Sequence, residues 1–238
     1  MKTKYVLRIL LAVCVVNITF SGVAAAKVFR DDFETKELID LWDVKIEGKA
    51  SYEIDNGQMI QTSPGVPDGI NLCYNIPLKG DVTCEVKIDT SELDGNYGHL
   101  GFFDERLAPM VNTDMHPHWV DVFYCDKDEK AGILNDGQPA ANWNRIIPHA
   151  PIDKGWHVWR IEVKGKRVKF FIDGNLDAED DNIITDRYFI ISVDPYTSHY
   201  FGTWTIDYIE LTGESVVPLA VDSDGKLATT WGILKARF

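Results

Sequence analysis

The stretch His118-Trp119-Val120-Asp121-Val122-Phe123-Tyr124 alternates apolar and chemically active residues. Read as a strand, it sends Val120 and Val122 to one face and Trp119, Asp121 and Phe123 to the other. An indole beside a carboxylate on an open sheet face suits sugars, whose C–H faces stack on aromatic rings while their hydroxyls bond to charged groups. The same rule extracts partners from other runs. On Val82–Ile88, the apolar Val82, Cys84, Val86 and Ile88 leave Glu85 and Lys87 on the opposite face. On Tyr97–Phe103, Leu100 and Phe102 leave His99, and Trp143 and Arg145 share one face of Asn142–Ile147. The expectation is a single groove lined by Glu85, Lys87, His99, Trp119, Asp121, Trp143 and Arg145 that binds a carbohydrate or glycoconjugate. The bland alternative makes Trp119 and Trp143 partly buried structural aromatics. An enzymatic use of the groove, as a secreted glycoside hydrolase or polysaccharide lyase, casts Asp121 or Glu85 as acid or base, with His99 in support.

Two further constellations carry less. Asp114, His116 and His118 place an H-x-H beside an acid, a pattern that binds transition metals. Pro117 and Asn112-Thr113 mark it as a loop, where histidines are more often plain surface residues. Tyr196, His199 and Tyr200 form an aromatic loop that either contacts a ligand or packs as a cover.

The elements that must position these residues are strands. In Trp156–Gly174, Trp159, Ile161 and Val163 alternate with Arg160, Glu162 and Lys164. After Gly165, Val168, Phe170 and Ile172 alternate with Arg167, Lys169 and Asp173, giving a hairpin that ends in an Asp-Gly turn. Similar short runs fill the chain. They are Val28–Phe33, Leu41–Ile46, Ala50–Ile54, Gln58–Thr62, Ile70–Pro77, Val82–Asp89, Tyr97–Phe103, Trp119–Cys125, Ala131–Leu134, Asn142–Ile147, Arg187–Val193 and Thr203–Leu211. About a dozen short strands with turn signals between them predict an all-β, two-sheet antiparallel sandwich.

Three segments resemble one superfamily: the Trp156–Gly174 hairpin, the opening Phe29–Phe33 with Leu41-Trp42 and Asp55-Asn56-Gly57, and the closing run Trp204–Leu211. The chain from 28 to 212 is similar to concanavalin A-like jelly rolls. Laminin-G-like domains, laminarinase-type glycoside hydrolases and bacterial keto-disaccharide hydrolases belong to this group. In the laminarinase-type enzymes, the resemblance implies an ExDxxE run on a concave-sheet strand. The corresponding strand here holds only Asp121, and no ExDxxE occurs in the chain, whereas retaining hydrolysis needs two carboxylates. The resemblance therefore implies sugar binding more than catalysis. It also implies a structural calcium joining the first and last strands, with Asp32 and Asp207 as carboxylates and Gly57 lending a carbonyl. The bland reading of Asp207 is a buried hydrogen-bond acceptor. Asp31, Asp32 and the Glu179-Asp180-Asp181 run otherwise read as ordinary solvated acids.

The flanks define the organisation. Lys2, Lys4 and Arg8 precede the apolar Val6–Val16, and Val23-Ala24-Ala25-Ala26 offers small residues, which reads as a signal peptide over residues 1–26. Its apolar run is too short for a comfortable membrane span, so no span is expected after cleavage. The expected location is secreted, periplasmic or cell-surface. Residues 27–213 then form the jelly-roll domain and 214–238 a tail. In that tail, Leu227, Trp231, Leu234 and Phe238 suit a short helix that docks on the domain or captures a protein partner. Cleavage takes three positive charges from a chain of formal net charge −13, leaving −16. Such a surface repels nucleic acid and anionic lipid, and no basic patch with interleaved aromatics appears. Three cysteines remain, Cys73, Cys84 and Cys125. If Ile70–Pro77 pairs with Asp81–Asp89 across Leu78-Lys79, Cys73 falls opposite Cys84. A Cys73–Cys84 disulfide or three small buried hydrophobes are then equally expected.

Overall fold

A computed structural model describes residues 26–64, 68–94, 97–103, 119–125, 130–136, 146–148, 154–181, 187–194 and 201–219. Among them every regular element is a strand, numbered here in chain order. Strand β12 (Trp156–Lys164) and β13 (Arg167–Ile172) form the expected hairpin, with Lys164 opposite Arg167 and Gly165 at φ 55° in the turn. They lie in a nine-stranded sheet that runs β14 (Asn175–Asp181), β13, β12, β6 (Val82–Asp89), β16 (Phe201–Gly213), β4 (Gln58–Ser63) and β3 (Ser51–Asp55). The first strand, β1 (Lys27–Asp31), and the short β7 (Leu93–Asp94) also pair with β16. The second sheet has seven strands in the order β11 (Ile146–Pro148), β10 (Lys130–Asp136), β9 (Trp119–Cys125), β8 (Tyr97–Phe103), β15 (Tyr188–Asp194), β5 (Gly69–Tyr74) and β2 (Trp42–Glu47). All these pairings are antiparallel, as in a jelly-roll sandwich.

Alternation explains how the sheets stack. On β6, Val82, Cys84, Val86 and Ile88 are buried, and on β12 Trp159, Ile161 and Val163 join them in one core. From the other sheet, Leu72, Tyr74, Leu100, Phe102, Phe189 and Ile191 face the same core. Burying this apolar surface between two sheets drives the sandwich together. Turn chemistry matches as well: Asn56 (φ 51°) and Gly57 (φ 73°) both take the left-handed conformation that a tight β3–β4 hairpin demands.

One polar contact crosses between the sheets inside this apolar core. The Trp42 Nε1–H donates to Asp31 Oδ2 at 2.8 Å, and the Phe33 amide donates to Asp31 Oδ1 at 2.9 Å. Asp31 is buried, which corrects its reading as a solvated acid. Burial pushes its carboxyl above the ordinary aspartate range, and the bonds from Trp42 and Phe33 pull the other way. Phe33 sits at φ 53°, a conformation rare for an aromatic residue and held here by the Asp31 turn. Around this tie, Phe29 of β1 packs on Trp42 at 5.4 Å and on Tyr74 at 4.9 Å between ring centroids.

The structure departs from one expectation. The predicted hairpin of Ile70–Pro77 with Asp81–Asp89 does not form, because β5 and β6 belong to different sheets. Leu72 and Tyr74 point into the core, leaving Cys73 on the far side of β5, while Cys84 faces the core. Cys73 and Cys84 lie on different sheets and are not joined by a disulfide. The acidic run Asn175–Asp181 forms a strand on which Glu179 and Asp181 are exposed, as solvated acids are. It is the sheet's outermost strand, where charges discourage further pairing, and Glu179 and Asp181 face Lys169 and Arg167. Finally, the chain beyond residue 213 still contributes to the domain. Val216 and Val217 are buried, and the Tyr74 hydroxyl both donates to the Val217 carbonyl and accepts from its amide. The helix expected farther along the tail lies outside the described residues, as does the signal segment through Ala25.

The Asp31–Trp42 tie yields a prediction. Because the folded carboxyl titrates above its unfolded value, its contribution to stability declines as pH rises through that interval. Trp42→Phe removes a bond that favours the ionised form, so the interval widens. Urea denaturation should show a destabilisation that is about 1–3 kcal/mol larger at pH 7 than at pH 3.5, where Asp31 is protonated in both proteins. An equal loss at both pH values would contradict a buried, charged Asp31.

Candidate functional site

The register of the seven-stranded sheet assembles a face from β8 and β9. Leu100 and Phe102 are core residues, so the alternate positions His99, Gly101 and Phe103 lie on the outer side of β8. On β9, Phe123 pairs with His99, Asp121 with Gly101 and Trp119 with Phe103. Residues directly opposite share a face, so Trp119, Asp121 and Phe123 occupy outward positions and Val120 and Val122 inward ones. The sequence alternation is thus matched by the pairing.

Neighbouring strands extend these rows. Cys73, Ile190, Gly101, Asp121 and Leu134 stand side by side across five strands. Parallel to them run Asn71, Ser192, His99, Phe123 and Gly132. On the other flank, Tyr188, Phe103, Trp119 and Asp136 complete a third row. Asn71, Cys73, Ile190 and Gly101 are all buried despite facing away from the main core, so the middle of this face is sheltered from solvent. Glycine at position 101 removes a side chain beside Asp121, as happens where a ligand must approach the backbone closely. Asn71 was not found by sequence reading because every residue of Gly69–Tyr74 is buried, which hides any alternation.

The structure divides the predicted groove in two. His99, Trp119 and Asp121 share the face just described, and Trp143 and Arg145 lie outside the described residues. Glu85 and Lys87 do not join them. The alternation on β6 is as expected, but β6 pairs with β12 and β16, so its outward side lies across the sandwich. There Glu85 accepts from the Tyr208 hydroxyl at 2.8 Å and lies 3.9 Å from Arg160. Burial and the Glu85 carboxylate push the Tyr208 hydroxyl up to about 12. The Arg30 guanidinium stacks 3.8 Å from the centroid of the same ring and pairs with Asp32 and Glu210. Lys87 pairs with Asp207 at 2.8 Å. This side is a ladder of alternating charges and rings that satisfies itself.

That ladder bears on the calcium expectation. Gly57 lies near the start of the chain, since a Cβ on it would sit 3.6 Å from the Asp32 carbonyl oxygen. The Asp32 carboxylate, however, is taken by Arg30 and the Asp207 carboxylate by Lys87. Among the described residues no group of three or more His, Cys, Asp or Glu is placed to hold a metal ion. Asp32, Gly57 and Asp207 therefore do not fit a calcium as a set. Asp114, His116, His118, Tyr196, His199 and Tyr200 lie outside the described residues.

No known protein family and no curated protein matches this chain. Solved structures do. The endo-β-1,3-glucanase from Pyrococcus furiosus superposes with a TM-score of 0.59 at 11% identity, over 78% of this chain and 93% of that one. The Emp47p carbohydrate recognition domain gives 0.60 at 11% identity, over 81% and 99%. An immunostimulatory antigen and pseudo β-1,3-glucanase of Mycobacterium tuberculosis gives 0.57 at 13% identity, over 78% and 98%. At such identities the likeness establishes the fold, which is the concanavalin A-like jelly roll.

Two outcomes follow from the charged ladder. Tyr208→Phe should cost about 1 kcal/mol in urea denaturation by deleting the bond to Glu85, with the ring still packed under Arg30. No measurable cost would mean that the bond is not formed. A chelator such as EDTA should leave the melting temperature of the purified protein unchanged; a fall of several degrees would reveal a stabilising divalent ion.

Proposed function

We propose that the protein is an exported carbohydrate-binding domain that holds a glycan or glycoconjugate on the outer face of the seven-stranded sheet, across β8 and β9. One observation carries this reading: the register sets Trp119, Asp121, Phe123 and His99 at outward positions around a glycine-floored, sheltered centre. Aromatic positions offer stacking surface for pyranose rings, and Asp121 and His99 offer hydrogen-bonding groups. The fold supports the same class, since its structural neighbours include a carbohydrate recognition domain and β-1,3-glucanases. Export rests on the basic-apolar-small pattern of residues 1–26, and capture of a protein partner would fall to the remainder of the tail.

Binding is favoured over the laminarinase-type reaction because β9 carries a single acid, Asp121. A hydrolytic reading draws on one observation. Asp136 of β10 stands opposite Trp119, which makes it the diagonal neighbour of Asp121 on the same face. Diagonal positions lie about 7–8 Å apart at the backbone, near enough for two carboxyl groups to act on one glycosidic bond.

A glycan array probed with residues 27–238 tests the reading. Wild type should bind, and Trp119→Ala and Asp121→Asn should each weaken the strongest signal at least about tenfold, the worth of one stacking contact or one good hydrogen bond. Glu85→Gln should leave it unchanged. Loss of binding in Glu85→Gln with retention in Trp119→Ala would place the site on the wrong sheet. Release of reducing ends from the bound glycan, abolished in both Asp121→Asn and Asp136→Asn, would decide for the hydrolase.

A further inference from the structure

On the opposite side of the sandwich, one aromatic residue stands outside the self-satisfied ladder. Trp156 opens β12 opposite Asp89 of β6, on the outward side of the nine-stranded sheet. It is the one tryptophan among the exposed large hydrophobic residues of the described chain, with 41% of its surface open. The Lys87 ammonium lies 5.2 Å from its ring centroid, within the range of a cation–π contact. Lys87 is itself held at 2.8 Å by Asp207, and both side chains remain partly exposed at 40% and 33%.

The placement of Asp207 has a specific cause. The β16–β6 pairing shifts register between Ile206 and Tyr208, so Asp207 is an extra residue without a partner of its own. Ile206 and Ile209 both face the core, and the bulge allows Asp207 and Tyr208 to be partly open in succession. Bulges re-aim side chains in this way beside functional sites. Here the re-aimed carboxylate fixes the lysine that lies over the indole. A regular strand would present only one of Asp207 and Tyr208 on this side.

We propose that Trp156, Lys87 and Asp207 form a second glycan platform, on the face opposite the first. A pyranose stacks on the open indole surface, and its hydroxyls accept from the Lys87 ammonium and donate to the Asp207 carboxylate at the ring edge. The ligand class is a neutral sugar. Lys87 is balanced by Asp207, Asp89 stands next to Trp156, and the chain carries a formal net charge of −13, so nothing here compensates an anionic one. The platform is built on three central strands, β12, β6 and β16, whose inward residues Val86, Ile88, Trp159, Ile161 and Ile206 are fully buried, so it is rigid before the ligand arrives. With sites on both outer faces, one molecule can bridge two glycan chains. This inference extends the reading of β8 and β9 but depends on different residues.

Native mass spectrometry of residues 27–238 with laminarihexaose, cellohexaose, chitohexaose and mannohexaose tests it. For at least one hexasaccharide, wild type should take up two molecules per chain, Trp156→Ala one, Trp119→Ala one, and the double variant none. Trp156→Phe should retain part of the second site. Lys87→Met, which keeps the apolar stem but loses the donor, should weaken that site about tenfold. Trp156 is exposed, so unchanged near-ultraviolet circular dichroism away from its own band should accompany the loss. Two molecules still bound by Trp156→Ala, or all binding lost in Trp119→Ala, would overturn the second platform and leave the first standing. All binding lost in Trp156→Ala would instead overturn the first, and no uptake of any hexasaccharide by wild type would overturn both.

Discussion

The bond from the Trp42 indole to the Asp31 carboxylate joins the first strand of the nine-stranded sheet to the edge strand of the other. A carboxylate inside an apolar sandwich is costly unless its oxygens are bonded, and here each oxygen has a donor, one side-chain and one backbone. The geometry allows little slack. Trp42 can reach Asp31 only if β2 and β1 end at the same height, and Phe33 must adopt a left-handed backbone to close the turn. Apolar burial supplies most of the attraction between the sheets but is indifferent to small slides. The Asp31–Trp42 bond is directional, and with the Phe29–Trp42–Tyr74 cluster it selects one alignment.

Fixing that alignment also fixes which residues look outward. Side chains alternate along a regular strand, so once Leu100, Phe102, Val86 and Ile88 are committed to the core, their neighbours on β8 and β6 have no choice of face. Trp119, Asp121 and His99 then gather on one side of the molecule and Glu85, Lys87 and Trp156 on the other. The two outer faces differ in character. The nine-stranded sheet closes most of its charges into pairs, from Asp32–Arg30 through Glu85–Arg160 to Lys169–Glu179, which keeps the face soluble with few free groups. The seven-stranded sheet gathers aromatic, acidic and glycine positions around a sheltered centre.

Alternation made much of this legible before any coordinates. Val82–Asp89, Tyr97–Phe103 and Trp119–Cys125 have the same bounds as the strands formed, and the Trp156–Gly174 hairpin closes at Gly165. Period-2 patterning reports whether a side chain faces the core but carries no label for the sheet its strand joins. That gap merged Glu85 and Lys87 with His99 and Trp119, and it suggested a hairpin and disulfide between β5 and β6. Asn71 and Cys73 were hidden in a run buried on both sides. Asn175–Asp181 was missed as a strand because an edge strand need bury almost nothing. Asp31 escaped notice because a carboxylate bonded to an indole 11 residues away has no local signature.

The outer face of the seven-stranded sheet is the surface proposed to bind sugar. Heteronuclear NMR of ¹⁵N-tryptophan-labelled protein, titrated with the glycan that gives the strongest array signal, reports on that face directly. The Trp119 indole resonance should move in proportion to occupancy, while those of the buried Trp42, Trp159 and Trp204 stay in place. Saturable binding that leaves the Trp119 resonance unmoved would contradict the account.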